Sequence, residues 1–474
     1  MSTVCVIAIL SLIGAKGETP AAPVIVSSPL LTDTSTEITI KLSAEDPGKR
    51  EVAFQIDWGD GTPLSWSRYF GSGMEVEQYH TFRKTGMMKI RARASAHVFI
   101  KAETTASGWS RPCSVQVKPS LVKWKFPVDA GTVCSPALDS DGNIYFGDEA
   151  GWFRSLTPEG KLRWQFRVGD TMEGAISAAP AIGGGVVYFP CEDEHVYALT
   201  LDGKFLWSYK TATPVVAAPA ISADGMVYAA DDSGVVYCLN NQGILKWQFL
   251  TNDEVDNGIS IGPDGTIYVP SDSLYAVSPT GSRIWAQGAQ EEDNPFFGVS
   301  IGPDNDVYAT CQDGYLYRLS ARDGRIVWRA ASPDEDELHG EIAFAPDNTI
   351  VFGGDDYYIS LKPKDGSPKV LLETEDKVRA SPLVNSKGTI YTQSLDGYVY
   401  AVRTDGTLLW RKPIAGSELD WAPSSPVIAP DGTVYIGSFD DGFYAFYGDG
   451  APVSDRWSMF RGGPQHTGRA PKAR

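Results

Sequence analysis

Apolar and polar positions alternate in short runs from about Leu121 to Tyr447, and one order of runs recurs along this stretch. Each unit has an apolar run, a tight turn, a second run ending in Tyr, a third run bearing Tyr or Phe, and a Gly turn before a run bearing Trp. The Trp residues that mark the period are Trp124, Trp164, Trp207, Trp247, Trp285, Trp328 and Trp410. Four short strands per unit of roughly 40 residues predict the blade of a β-propeller.

The first hairpin of each unit indicates the number of blades. Its turn needs a positive φ, which Gly supplies freely and Asn tolerates. Because eight such turns occur, we predict eight blades over residues 121–450, with seven as the alternative. The turns lie at Gly142, Gly184–Gly185, Gly225, Gly265, Asn305, Asn348, Gly388 and Gly432.

The two ends of the repeat region are each incomplete. The last unit ends in Tyr444 and Phe446 with no convincing Trp-bearing strand behind it, whereas the run Leu121–Phe126 precedes the first unit without a blade of its own. We predict that this run is the outer strand of the last blade. Such closure protects strand edges that would otherwise pair with other molecules.

Residues 20–118 have a different pattern, in which strands of alternating apolar and polar residues are separated by turn signals at the spacing of a β-sandwich. The segments DWGDGT (Asp57–Thr62) and YHTFRKTG (Tyr79–Gly86) resemble the polycystic-kidney-disease (PKD) type of immunoglobulin-like domain, although Phe82 stands where that family usually has Tyr. The resemblance implies a spacer or adhesion module. The fold class is therefore all-β, a small sandwich followed by an eight-bladed propeller.

The side chains of the WGDG segment can be interpreted as a packed turn or as a metal site. Trp58 should pack between the two sheets, while Asp60 and Gly61 make a turn. A metal site formed by Asp57 and Asp60 is the less favoured alternative.

The start of the chain predicts the compartment. Val4–Ile13 is an apolar run followed by GAKGE, which indicates a secretory signal over residues 1–17, although no Lys or Arg precedes it. The run is too short to span a bilayer, and no later stretch qualifies as a transmembrane segment. We predict a secreted or periplasmic protein of the cell envelope, with a cytosolic one as the alternative.

Charge and cysteine content limit the partners further. The formal net charge of −18 disfavours nucleic acid as a partner. Of six Cys residues, five remain after removal of a signal, so at least one is unpaired. Buried small hydrophobic side chains are the favoured interpretation of these cysteines. A Cys113–Cys134 bond between the two domains is left open.

Acidic residues concentrate in two sets of connections that a propeller places on one face, namely those between blades and those from the second to the third strand. We predict one acidic face, for which ordinary polar loops are the favoured interpretation; the alternative is a site that binds a metal ion, a cationic ligand or a basic protein segment. The candidate residues are Glu173, Asp253, Glu254, Glu291, Glu292, Asp334, Glu335, Asp355, Asp356, Glu418, Asp420 and Trp421. The same loops contain Glu192, Asp193, Asp231, Asp232 and Asp256.

The fourth strands DGKFLW, DGRIVW and DGTLLW, with the eightfold count, resemble the quinoprotein or PQQ-like repeat. That repeat is shared by quinone-dependent alcohol dehydrogenases and by noncatalytic propellers such as the outer-membrane β-barrel assembly lipoprotein. Trp457–Arg469, within the tail 451–474, resembles a segment of many secreted members. The resemblance implies that catalytic members hold pyrroloquinoline quinone (PQQ) with a vicinal Cys pair, a Trp floor, calcium and an Asp base. This chain has no adjacent cysteines and no long insertions.

We therefore predict a noncatalytic binding or scaffold protein that uses the propeller as an interaction platform. No cofactor is predicted: the acidic face leaves calcium open, and the missing Cys pair disfavours PQQ. The first alternative is a PQQ- and calcium-dependent dehydrogenase. The second is a polysaccharide-binding or polysaccharide-degrading envelope protein, with glycan contact through the PKD-like domain.

Overall fold

The strands coincide with short apolar runs and with runs of alternating apolar and polar positions, in both halves of the chain. The computed structural model describes residues 19–28, 31–96, 106–128, 130–169, 174–289, 294–332, 336–354, 357–361, 368–414, 424–438 and 442–470. Contacts divide the chain into two compact units, and the main boundary lies between Leu121 and Val122. The predicted signal, residues 1–17, lies outside the described residues.

The first unit contains a three-stranded sheet, in the order β1-β3-β5, and a four-stranded sheet, in the order β2-β7-β6-β4. Inward residues of both sheets form one hydrophobic cluster, which includes Ile40, Phe54 and Trp58. The strands are β1 Val24–Ser27, β2 Leu31–Asp33, β3 Glu37–Ser43, β4 Val52–Asp57, β5 Val76–Thr81, β6 Gly86–Ala96 and β7 Cys113–Lys118.

The WGDG segment forms a turn as predicted. Asp60 accepts a hydrogen bond from the Thr62 backbone N–H at 2.9 Å, and its second oxygen lies 2.8 Å from His80 Nε2. Trp58 is buried and stacks on the His80 ring with 4.4 Å between centroids. Asp57 is paired with Arg91 at 2.9 Å, so these two carboxylates have protein partners.

The second unit is a series of four-stranded antiparallel sheets, and the described residues contain eight of them. Seven use consecutive strands: β9–β12, β13–β16, β17–β20, β21–β24, β25–β28, β29–β32 and β33–β36. The strands of the first four are β9 Ala137–Leu138, β10 Ile144–Gly147, β11 Trp152–Leu156, β12 Leu162–Arg167, β13 Ala181–Gly183, β14 Val186–Cys191, β15 His195–Thr200, β16 Phe205–Lys210, β17 Ala220–Ile221, β18 Val227–Ala230, β19 Val235–Leu239, β20 Leu245–Leu250, β21 Ser260–Ile261, β22 Ile267–Pro270, β23 Ser273–Val277 and β24 Arg283–Gly288. Those of the next three are β25 Phe296–Ile301, β26 Val307–Cys311, β27 Tyr315–Leu319, β28 Ile326–Ala331, β29 Ala343–Phe344, β30 Ile350–Gly354, β31 Tyr357–Leu361, β32 Pro368–Glu373, β33 Leu383–Val384, β34 Thr389–Gln393, β35 Tyr398–Arg403 and β36 Leu408–Pro413.

The remaining sheet joins the two ends of this unit. Its order is β37-β38-β39-β8, with β37 at Val427–Ile428, β38 at Thr433–Gly437, β39 at Gly442–Tyr447 and β8 at Val122–Pro127. The first strand of the unit therefore pairs antiparallel with its last, with Trp124 opposite Ala445. Repeated four-stranded sheets of this kind are the blades of a β-propeller.

Backbone angles confirm the predicted first-hairpin turns. Every predicted Gly in these turns has a positive φ, and so do Asn305 and Asn348, each at 65°. In seven of these eight turns a single residue has positive φ, and the hydrogen bonds, such as that from Gly142 N–H to the Asp139 carbonyl, enclose a three-residue loop in which that residue follows a type I turn. Gly184 and Gly185 form the one two-residue turn among them.

Five of the seven periodic Trp residues donate hydrogen bonds at contacts between neighbouring sheets. Trp164, on β12, donates its indole N–H to the Leu201 carbonyl at 2.9 Å, in the turn between β15 and β16. A Cβ added to Gly203 in that turn would lie 2.6 Å from the Trp164 ring. Trp124, Trp207, Trp247 and Trp285 each donate in the same way to the corresponding turn of the next sheet. The Trp period therefore reflects packing between blades.

The described residues contain no α-helix; a 3-10 turn at Phe460–Gly462 is the helical element among them. None of them forms a helix with the length and hydropathy that a membrane span requires. The cysteines that sequence analysis left open, Cys113 and Cys134, are free thiols, as are Cys191, Cys238 and Cys311.

Candidate functional site

The connections of the second unit surround a cavity of about 900 Å³. Connections between sheets and connections from second to third strands both contribute to its lining. Five lining residues carry carboxylates, while Arg379 carries a guanidinium and His339 an imidazole. The five are Glu149, Glu192, Asp232, Glu254 and Asp256. The cavity is thus large enough for a ligand or a short peptide segment and predominantly anionic.

The chain's C-terminal tail contributes to the lining through Phe460. Tail carbonyls accept hydrogen bonds from the backbone N–H groups of first strands or their flanking residues in six of the described sheets. The donors are Leu138, Ile182, Ile221, Ile261, Phe344 and Val384, and the acceptors are Pro464, Gln465, Thr467, Gly468, Trp457 and Ser458, respectively. The tail therefore connects the first strands around the cavity.

A buried ion pair anchors the tail. Arg461 Nη1 lies 3.6 Å from Glu341 Oε1, and both side chains are fully buried. Glu341 Oε2 accepts hydrogen bonds from the Trp457 indole N–H and from the Arg461 backbone N–H, each at 2.9 Å. Burial raises the pKa of Glu341 and lowers that of Arg461, while each partner's charge opposes the other's shift.

Several aspartates of the acidic loops have structural partners. Asp193 accepts the Tyr197 hydroxyl at 2.5 Å, and Asp231 accepts the Tyr237 hydroxyl at 2.6 Å. Asp272 and Asp396 receive Tyr hydroxyls in the same manner from the third strands of their sheets. These carboxylates stabilise the connection from second to third strand through hydrogen bonds within their own sheet, so we assign them a structural role.

In two of these connections a residue adjacent to the bonded aspartate faces the cavity. Glu192 precedes Asp193, and Asp232 follows Asp231; both side chains line the cavity. Ser177 Oγ donates to Glu192 Oε1 at 2.7 Å. Glu149 lines the cavity from the connection between β10 and β11. Burial, together with the charges of Glu192 and Asp148, raises the pKa of Glu149.

Asp232, Glu254 and Asp256 form a close group of carboxylates within the part of the chain that the structure describes. Each can place one carboxylate oxygen within 4.8 Å of those of the other two. Asp256 is solvent-accessible, but it lies within the cavity, where surrounding protein atoms limit its hydration. This limited hydration and the charges of Glu254, Asp232 and Asp253 raise the pKa of Asp256 to about 6.

Of the predicted site residues, the structure describes Asp253 and Glu254. Glu254 lines the cavity, whereas Asp253 is exposed and accepts a hydrogen bond from the Glu254 backbone N–H at 3.0 Å. The others lie outside the described residues: Glu173, Glu291, Glu292, Asp334, Glu335, Asp355, Asp356, Glu418, Asp420 and Trp421. Their participation in a site stays a prediction.

Sequence reasoning missed Glu149, Arg379 and Phe460 as cavity residues. Glu149 lies in the connection from second to third strand of its own sheet, at the repeat position that Glu192 and Asp232 occupy in theirs, so an alignment of the repeats contained a signal for it. Arg379 and Phe460 had no such signal, because Arg379 is a single basic residue in an acidic loop set and Phe460 reaches the cavity through the path of the tail.

A PQQ- and calcium-dependent site has to hold both a quinone and a calcium ion, and the lining residues of the cavity fit these two groups differently. The sequence has no adjacent cysteines, and the aromatic side chains among the described lining residues are Phe297 and Phe460, with no Trp. The residues therefore do not fit the quinone clamp that the resemblance implies. The carboxylates of Asp232, Glu254 and Asp256 do fit the oxygen ligands that Ca²⁺ prefers.

Four-stranded sheets joined by the Trp–Gly contact around one cavity define a β-propeller of PQQ-like repeats. The family model described as outer membrane protein assembly factor BamB matches residues 94–248 and 232–449, more than half of the chain. The chain belongs to this PQQ-like repeat family.

Solved structures with low sequence identity share the fold. BamB from Moraxella catarrhalis has a TM-score of 0.55 and 19% identity, covering 68% of this chain and 98% of that one. The computationally designed protein Ika8 has a TM-score of 0.57 and 17% identity, covering 69% and 100%. The C-terminal WD40 domain of Sif2 has a TM-score of 0.56 and 12% identity, covering 69% and 97%. Among curated protein sequences, none matches this chain.

Proposed function

We propose that this chain is a noncatalytic binding or scaffold protein whose propeller receives a basic segment of a partner protein at the acidic cavity. The observation that carries the proposal is the charge of the cavity, where five carboxylates face one guanidinium. Like charges held together in a concave surface favour a cationic ligand and raise its local concentration. The cavity volume of about 900 Å³ suits a peptide segment better than a single ion.

The architecture proposed for this platform is an eight-bladed ring preceded by a PKD-like sandwich. The eight four-stranded sheets of the described residues and the pairing of β8 with β39 support the ring. The two sheets around one core and the Asp60 turn support the immunoglobulin-like assignment of the first unit.

The proposed location is the periplasm or the outside of the cell. Two observations support it: the apolar run Val4–Ile13 near the start of the sequence, and membership of a family described as an outer membrane protein assembly factor. The description also supports a protein partner over a small-molecule substrate.

The proposal is tested by titrating the full chain with a fluorescein-labelled hexalysine peptide and following anisotropy. We expect saturable binding that weakens as salt rises, because charge attraction across a solvent-filled cavity is screened. The double variant Asp232→Asn/Glu254→Gln should weaken binding by about tenfold or more, equivalent to about 1.4 kcal/mol.

A matched control removes the same charge outside the cavity. Glu159 and Asp202 lie in exposed turns between third and fourth strands. The variant Glu159→Gln/Asp202→Asn should bind the peptide as the unmodified chain does. Equal losses in both double variants would show general charge attraction and contradict a site in the cavity.

The rival function is a PQQ- and calcium-dependent dehydrogenase. Quinone-dependent dye reduction by the full chain in the presence of calcium would replace the proposal. The carboxylates of Asp232, Glu254 and Asp256 give calcium alone a specific place, so a calcium-induced rise in Tm without dye reduction would identify a metal-binding platform. A ligand at a hundred times its Kd stabilises the folded state by about 2.7 kcal/mol, which a melt detects.

A further inference from the structure

The outward face of the first unit carries a small hollow with aromatic walls. Ala53, on β4, lies opposite Ser95, on β6, and both side chains alternate away from the hydrophobic core. Because these side chains are small, they leave a hollow of about 170 Å³, walled by Trp66, Ser67 and Tyr69. That volume is below the range for drug-sized ligands, about 300–1,000 Å³, and suits a single ring.

The hollow contains a polar atom that the fold leaves unsatisfied. Ser95 is 2% exposed, and its Oγ has no hydrogen-bond partner within the part of the chain that the structure describes. A buried hydroxyl without a partner destabilises the folded state, because it has lost its hydrogen bonds to water. This cost is recovered when an occupant of the hollow offers a hydroxyl group.

A guanidinium lies beside the hollow. Arg93 is two residues from Ser95 on the same face of β6, and its Cζ lies 5.7 Å from the Trp66 ring centroid and 4.9 Å from that of Trp109. Its Nε donates to Gln55 Oε1 at 2.8 Å, which fixes the plane of the group. Its two terminal nitrogens have no acceptor among the described residues and remain able to bind an anion.

We propose that this hollow binds one sugar ring of an acidic polysaccharide. A pyranose ring has apolar C–H faces that pack on aromatic side chains, as they would on Trp66 and Tyr69. Its hydroxyls can pair with Ser95 Oγ, and a ring carboxylate can accept the terminal N–H groups of Arg93. An apolar peptide side chain would fill the same volume but leave Ser95 Oγ unpaired, so the chemistry of the hollow favours the sugar.

The site belongs to the first unit and is independent of the acidic cavity. Its occupant is anionic, whereas the cavity favours a cation, so the two proposals call for ligands of opposite charge. Failure of one therefore leaves the other standing.

The test is isothermal titration calorimetry of the full chain with oligogalacturonate, oligomannuronate and a short hyaluronan, beside neutral oligogalactose with the linkage of the oligogalacturonate. We expect at least one acidic oligosaccharide to bind, and the neutral one to bind about tenfold more weakly or not at all. Ala53→Leu, which fills the hollow, and Arg93→Gln, which removes the charge, should each weaken binding by about tenfold or more.

The control is Tyr79→Ala, which removes an aromatic ring that is 56% exposed on the other sheet of the unit. It should bind the acidic oligosaccharide unchanged, and thermal melts verify that each variant is folded. Absence of binding by all three acidic probes would overturn the proposal, as would equal binding of the neutral one or binding unaffected by Ala53→Leu. Binding of polyglutamate in place of the sugars would assign the hollow to an acidic protein segment and overturn the glycan.

Discussion

Asp256 shows how the cavity determines the charge of a single side chain. Its ordinary pKa of 3.8 rises to about 6 because reduced hydration within the cavity and the neighbouring carboxylates disfavour its ionised form. The folded state therefore binds a proton more readily than the unfolded chain between about pH 4 and 6. By linkage, this group's contribution to stability is present below pH 4 and is lost as the pH rises to about 6.

Asp256→Asn should remove this pH dependence. At pH 8 we expect the variant to be more stable than the unmodified chain by a few tenths to about 1 kcal/mol, a small value because solvent screens an accessible carboxylate. At pH 4 the two should be equal within error. Urea unfolding at both pH values measures the difference, and 1 M salt should reduce it. An equal advantage at both pH values would indicate a local effect unrelated to ionisation.

The acidic loops also show what composition could not reveal at the residue scale. Asp193 and Asp231 are as acidic in sequence as Glu192 and Asp232, and all four were predicted to lie on one acidic face. The structure separates them, because the first two receive Tyr hydroxyls and the last two line the cavity. Whether an acidic side chain accepts a Tyr hydroxyl or lines the cavity depends on its direction within the turn. That direction is determined by the hydrogen bonds of the folded blade and cannot be read from residue type.

At the scale of elements, the strands and hairpins were predictable because their signals are local. Short apolar runs mark the inner strands, such as β18, alternation marks outer strands such as β20, and a turn that needs positive φ marks the first hairpins, as Gly225 and Asn305 show. The Trp period was also predictable as packing, but its partner was not. Trp164 meets Gly203 of the next sheet through a contact that joins residues 39 positions apart.

Two glycines with the same φ allow the stability lost through the Trp–Gly contact to be separated from the stability lost through backbone strain in the turn. Gly203 and Gly225 both have φ of +82°; an added Cβ lies 2.6 Å from Trp164 at Gly203 and has no atom within 4 Å at Gly225. Gly225→Ala should cost about 1–2 kcal/mol for the left-handed backbone alone. Gly203→Ala should cost a further 1–3 kcal/mol, roughly, from overpacking against the indole.

Urea unfolding of the full chain, followed by Trp fluorescence and by circular dichroism, measures both losses. The two signals should report one ordering, with Gly203→Ala the less stable variant. Equal destabilisation would mean that the Trp ring moves aside freely, and the contact between blades would then have little energetic weight.

At the scale of the whole molecule, the tail is the part that the sequence described least well. The segment Trp457–Arg469 was recognisable by resemblance, but its position was not, because backbone carbonyls make its contacts and carry no residue-type signal. The acidic cavity was partly predictable, since the acidic loops were assigned to one face; Phe460 in its lining was not. Local patterns thus predicted the sheets, whereas the closure of the cavity depends on long-range backbone pairing.

A chain ending at Arg456 tests whether the tail holds the first strands together. Loss of the tail would leave six backbone N–H groups without their acceptors, and it would leave Glu341 buried without Arg461. Unpaired buried donors cost about 1–3 kcal/mol each, and a broken buried ion pair about 3–5 kcal/mol, together comparable to the 5–15 kcal/mol net stability of a typical domain. We therefore expect the truncated chain to lose its cooperative thermal transition, and a peptide of residues 451–470 added in trans to restore it in part. Gln465→Ala should melt as the unmodified chain does, because its bond to Ile182 uses the backbone carbonyl. A truncated chain with unchanged Tm and cooperativity would mean that water satisfies the first strands, and the tail would then be an accessory to a ring that is stable by itself.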